Sequence, residues 1–345
     1  MARHRVIGRD DPLYPAIRRR LLWLSFKTVL GYLVMGALIA LSLALFHVSI
    51  SVIWGFGLIW AAMPLAGWWY SAEIAIAMAK ATLADPTNPK HKRVIDIVHR
   101  LYAKSGLAFE PPVYSSPDQS PNAFATGPIH RKAVVAFTEG LLDIGLTDPE
   151  IEAVFAHELS HVKHYDVGIN SVLAVLSTVL CLIVDAGVNT LLKGFKFVLP
   201  KSKHATFLPA IANSVIFYAV FWLVGQITRV IQLFVVRTRE SAADAGAADM
   251  TGCPCALVSA LKKLVHYVET HRPAPGREQS YWLGMRLMST IDPLYDSLTP
   301  SDQPTGSWNK VKQWWRSLQE THPPIPDRVA VLEEINGGAC PAVIW

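Results

Sequence analysis

Residues 26–46 and 50–70 contain no Asp, Glu or Arg, and the one charge in either stretch is Lys27 at an edge. About 20 helical residues cross the roughly 30 Å hydrocarbon core of a bilayer, so each stretch is long enough to span it. Runs of this length exceed what the core of a soluble fold accommodates, and inside lipid only a helix or a closed barrel satisfies its own backbone. Residues 170–192, interrupted by Asp185, and residues 207–236, interrupted by Arg229, form a second and weaker apolar pair. The chain of 345 residues is 51% hydrophobic with a mean hydropathy of +0.28, which leaves enough for a separate folded domain. The expectation is a mostly α membrane protein, in which four transmembrane helices accompany a separate folded domain.

The first apolar run begins after some 25 residues and is of spanning length, so it reads as an anchor rather than a cleaved signal peptide. Arg3, Arg5, Arg9, Arg18, Arg19 and Arg20 precede it and Lys27 sits at its first edge, whereas the turn at residues 47–51 carries no Lys or Arg. The positive-inside rule therefore puts the N-terminus in the cytoplasm. The loop with Lys193, Lys196, Lys201 and Lys203 runs against that rule, either because the early topology dominates or because the second hairpin is shallow or re-entrant. Asp185, a charge within a span, is a functional candidate by default, with protonation or a place at a span end as the plainer reading.

The net charge of +5 and pI near 9.0 come largely from the basic tail, which suits anionic lipid better than nucleic acid. No nucleic-acid signature is present. Cys181, Cys253, Cys255 and Cys340 lack CxxC spacing and read as thiols, in keeping with a reducing cytoplasmic face.

Chemistry enters at His157-Glu158-Leu159-Ser160-His161. Positions i and i+4 share a helix face, so both imidazoles can meet one metal ion, and Glu158 lies beside the open coordination position as general base. Thr147-Asp148-Pro149-Glu150 has the spacing of a capping box, which starts the helix ten residues upstream of the motif. Ile151, Val154, Phe155 and Leu159 recur at helical spacing and supply its buried face. A third donor has to come from elsewhere, and Glu240 is the best candidate. Glu240 and Asp244 are again i and i+4, so one can bind the metal while the other accepts a hydrogen bond from a ligand histidine.

Several segments resemble the HtpX-type membrane metalloproteases, relatives of the type 1 CAAX prenyl proteases. They are Pro121-Asn122-Ala123-Phe124-Ala125-Thr126-Gly127, Val134–Phe137, Thr138–Leu142, His157–His164, Glu240–Asp244, and His322-Pro323-Pro324 with Arg328. Their order and approximate spacing agree from about residue 85 to 335. The resemblance implies a gluzincin-like α+β zincin catalytic domain with a small β-sheet and one Zn2+ held by His157, His161 and Glu240. It further implies that Glu158 is the base and Asp244 a hydrogen-bond partner of a ligand histidine. It also implies an edge strand at Asn122, Ala123 and Phe124 that pairs with extended substrate. His322 and Arg328 stand as candidates to steady the oxyanion, with a Pro-flanked turn and helix cap as the bland alternative.

The expected organisation is a basic tail (1–25), a first hairpin (26–70), a first catalytic part (71–168), a second hairpin (169–236) and a second catalytic part (237–345). For one ion to meet ligands on both sides of the second hairpin, the intervening chain must cross the bilayer an even number of times. Glu240 sits about 6 Å along a helix beyond residue 236, so the metal should lie near the membrane surface. The expected activity is cleavage of cytoplasmic or misfolded segments of membrane proteins in quality control. The rivals are a zinc transporter, which needs donors at membrane depth, and a silent scaffold, whose structural zinc would want four protein ligands.

Overall fold

The computed structural model describes residues 14–45, 62, 65–166, 207–271 and 323–343. Outside these lie most of the stretch 50–70, all of 170–192 with Asp185 and Cys181, the lysines from Lys193 to Lys203, residues 272–320 and His322. Helix α1 (Tyr14–Leu45) contains nearly all of the first apolar run, and α6 (Phe207–Thr251) contains the fourth and continues past it. Among the described residues no helix is long and apolar enough to cross a membrane.

Between them lie α2 (Ser71–Met78), β1 (Thr82–Leu83), α3 (Pro89–Ser105), β2 (Val113–Ser116) and β3 (Ala123–Thr126). Then come β4 (Val134–Thr138), α4 (Glu139–Asp143) and α5 (Asp148–Lys163), with α7 (Pro254–Thr270) and α8 (Ile325–Asn336) after α6. The described fold is mostly helical with one small sheet, as expected. Helix α3 starts at Asn88, whose side chain accepts from Lys90 N–H, with Pro89 in the first turn, and it stops at Gly106 in the left-handed region at φ 74°. Helix α5 begins with the expected capping box, in which Glu150 accepts from Thr147 N–H at 2.7 Å.

The sheet order is β1-β2-β4-β3, with β2 and β4 parallel and both outer pairs antiparallel. Strand β3 is thus an edge. Thr138 N–H donates to the Asn122 carbonyl, and the register pairs Phe124 with Ala136. In an antiparallel ladder the residues between such pairs turn their backbone groups the other way, so Ala123 and Ala125 present theirs to the open edge. No strand among the described residues pairs with that edge.

One core joins the sheet to the helices. Val98 and Leu101 of α3, Phe137 of β4, Phe155 of α5, Leu261 of α7 and Leu332 of α8 are all fully buried in it. Helix α5 runs through its centre, which explains why nearly every residue from Ile151 to Val162 is buried, the polar His157, Glu158 and Ser160 included. A Cβ at position 246 would fall 2.1 Å from Ser160 Oγ, so Gly246 is what lets α6 lie against α5.

The cysteine expectation needs correction. Cys255 and Cys340 are joined by a disulfide with a Cα–Cα distance of 5.4 Å, pinning the chain beyond α8 to the first turn of α7. Cys253 is free and buried. The partners stand 85 residues apart in sequence, and local spacing carries no information about such a contact.

Candidate metal centre

Helix α5 places His157 and His161 on one face, one turn apart, with their Nε2 atoms 3.2 Å from each other. Helix α6, held close by Gly246, brings Glu240 to the same point: its oxygens lie 3.6 Å from His157 Nε2 and 3.4 Å from His161 Nε2. Two ligand atoms at 2.0–2.1 Å from a tetrahedral ion are about 3.3 Å apart, so the separation of the two rings fits a shared zinc-sized cation, and Glu240 sets one oxygen close to each ring. Among the described residues these are the only three His, Cys, Asp or Glu side chains grouped so that they could hold a metal.

The charges fit as well. Burial alone pulls the His157 imidazole toward neutrality, but the carboxylates of Asp244 and Glu240 outweigh it and raise its pKa to about 9. His161 is raised against the same burial effect, by Glu240 and Asp166. Two protonated rings at this distance would repel each other, whereas one divalent cation between neutral rings answers the same local demand for positive charge.

Each ring's remote nitrogen has its own carboxylate, and each carboxylate its own guanidinium. His157 Nδ1 is 2.9 Å from Asp244 Oδ1, and Arg328 grips Asp244 with Nε at 2.9 Å and Nη2 at 2.6 Å. Burial raises the Asp244 carboxyl, yet Arg328 and His157 dominate and hold it near 2. His161 Nδ1 is 2.7 Å from Asp166 Oδ2, and Arg239 grips the other oxygen of Asp166. Such partners fix which ring nitrogen carries the proton and keep Nε2 as the donor toward a metal.

Glu158 is nearly buried beside the ligands, and its Oε2 accepts from Ala125 N–H at 3.2 Å. That bond joins the expected base to the open edge of β3. The side chains of Asn122, Ala123 and Phe124 are buried, so a substrate would meet this strand through its backbone.

The structure thus brings together His157, Glu158, His161, Glu240 and Asp244. Arg328, expected near the oxyanion, is 1% exposed and directs its guanidinium at Asp244, a placement that suits anchoring rather than substrate contact. His322 lies outside the described residues. Asp166 and Arg239 did not emerge from the sequence. Tyr165, with φ at 57°, turns the chain so that Asp166 folds back beneath His161, a bend no helical spacing announces.

The sequence model of peptidase family M48 matches residues 88–336. The Protease HtpX homolog of Campylobacter concisus (strain 13826) is 34% identical over 276 residues, covering 80% of this chain and 85% of the relative. That of Sulfurovum sp. (strain NBC37-1) is 37% identical over 214 residues, covering 62% and 71%. The crystal structure of S. mikatae Ste24p is similar at a TM-score of 0.49 and 16% identity, covering 96% of this chain and 68% of that one.

Proposed function

Because the chain belongs to peptidase family M48 and is a metalloprotease of HtpX type, we propose that it is a membrane-anchored zinc endopeptidase cleaving extended segments of proteins. In this reading His157, His161 and Glu240 hold one Zn2+. The bound ion would supply a Lewis acid that polarises the scissile carbonyl and brings the pKa of water to about 7. Glu158 takes the proton from the attacking water and passes it to the leaving amine. Its hydrogen bond to Ala125 holds this carboxylate at the edge where the substrate lies, so base and scissile bond are positioned by one strand. Ala123, with its backbone turned outward, pairs with substrate as an added strand, which favours unfolded or misfolded stretches over folded ones. Asp244 and Arg328 keep His157 in place.

The proposed topology is four spans in two hairpins, at 26–70 and 169–236, with both termini and the catalytic parts facing the cytoplasm. The basic N-terminus supports this orientation. Quality control of membrane proteins is the proposed role, because an active site beside the bilayer reaches exposed loops of defective neighbours. The Cys255–Cys340 bond weighs toward an oxidising compartment and makes the orientation directly testable.

The observation that carries the reading is the convergence of two imidazoles and a carboxylate at 3.2–3.6 Å, with Glu158 tied to an open sheet edge. Glu158→Gln in the full-length protein should keep zinc and fold but lose casein cleavage, whereas chelation of the wild type should abolish cleavage by removing the ion. Casein cleavage surviving in that variant would overturn the assigned base.

A further inference from the structure

Residue 166 is the last described before the apolar segment that contains the third and fourth runs, and Arg239 stands three residues beyond the end of the fourth. The two are 73 residues apart in sequence and yet form a buried ion pair, at 3% and 5% exposure. Asp166 uses both oxygens: Oδ2 faces His161 Nδ1 at 2.7 Å, and Oδ1 accepts from Arg239 Nε at 2.5 Å. Arg239 in turn adjoins Glu240, whose oxygen is 3.4 Å from His161 Nε2. The contacts close a ring: His161 to Asp166, Asp166 to Arg239, Arg239 along the backbone to Glu240, and Glu240 back to His161.

We infer that Asp166 and Arg239 form a positioning clasp that binds the entrance and exit of the 167–236 segment to each other and to the metal ligands His161 and Glu240. The inference rests on the zinc reading above and adds to it. A surface ion pair would do little, but here a single carboxylate sets the proton on one ligand and the seat of the residue beside another. The guanidinium donates from Nε to Asp166 Oδ1 and holds Nη2 against the same oxygen, and this buried contact restricts rotation of α6 about its axis at the turn that carries Glu240. Relative displacement of the two ends of the segment must therefore stretch either the His161–Asp166 contact or the spacing between His161 and Glu240. The ends of a proposed membrane hairpin and the grip on the metal become one mechanical unit. The Asp244–Arg328 pair has no such link, since Arg328 comes from α8.

The test uses the full chain purified in detergent, with zinc affinity measured by competition against a chromophoric chelator and unfolding temperature followed in parallel. Asp166→Asn should weaken zinc binding about 10–100-fold at temperatures where the protein remains folded, and should lower kcat more than it raises KM. Arg239→Met should weaken zinc to a similar degree although Arg239 touches no metal. The double variant should be no weaker than the weaker single one, because both act through one carboxylate. Arg239→Lys keeps the charge without the two-pronged contact and should fall between Arg239→Met and wild type, which keeps the test open if Asp166→Asn does not fold. Unchanged zinc affinity in Arg239→Met and Arg239→Lys, whatever the unfolding temperature, would overturn the clasp. Failure of the wild type itself to bind zinc would instead overturn the metal reading on which the clasp rests.

Discussion

Replacing Asp244 by Asn keeps its shape and removes its charge at a place where the structure sets the consequences. Arg328 is 1% exposed, and its described hydrogen bonds to Asp244 are 2.9 and 2.6 Å long. Without the carboxylate, the buried guanidinium faces a neutral amide, and breaking such a buried ion pair typically costs about 3–5 kcal/mol. At about 2–4 °C per kcal/mol for a domain of this size, the unfolding temperature should fall by about 6–20 °C. His157 also loses the anion 2.9 Å from Nδ1, so zinc should bind about 10–100-fold more weakly. The two effects separate in Asp244→Asn/Arg328→Met: the buried cation is gone and much of the stability returns, while zinc binding stays weak. Differential scanning fluorimetry and chelator competition on the full-length protein read the two quantities. An Asp244→Asn variant melting within about 2 °C of wild type, or a double variant no more stable than the single, would refute the reasoning.

Two further outcomes are expected. Burial raises the Glu150 carboxyl, but hydrogen bonds from Ser259, Thr147 N–H and Lys263 prevail and leave it below its ordinary value. Its contribution to stability is therefore complete above the unfolded value of about 4.3 and lost as pH falls through the lower folded one, so Glu150→Gln should flatten the acid side of an unfolding-temperature profile. For orientation, a catalytic domain on the cytoplasmic face should have Cys255 and Cys340 reduced in acid-quenched cells and open to alkylation after denaturation; a trapped disulfide there would place the domain on the oxidising side.

The helix bearing His157 and His161 was legible because its signals are local: a capping box, an apolar stripe and an i,i+4 motif all lie within α5. Glu240 and Asp244 were legible as a spaced pair, though their approach to His157 depends on Gly246, whose role appears only once α5 lies against it. What sequence could not show are contacts made by chain reversal or across long separations. Asp166 reaches His161 through the left-handed turn at Tyr165, Arg239 meets Asp166 from the far side of an apolar segment, and Cys340 finds Cys255 from beyond α8. Arg328 was visible as a polar residue in a matching motif, but only burial reveals that it faces Asp244. The open edge of β3 likewise needed the register, which decides that Ala123 and Ala125 turn outward.

An anomalous difference map at the zinc edge, from crystals of the full-length protein, locates the ion relative to its three ligands. One peak should lie about 2.0–2.2 Å from His157 Nε2, His161 Nε2 and a Glu240 oxygen. A peak that leaves any of these three side chains uncoordinated, or lies elsewhere, would contradict a zinc site built from them.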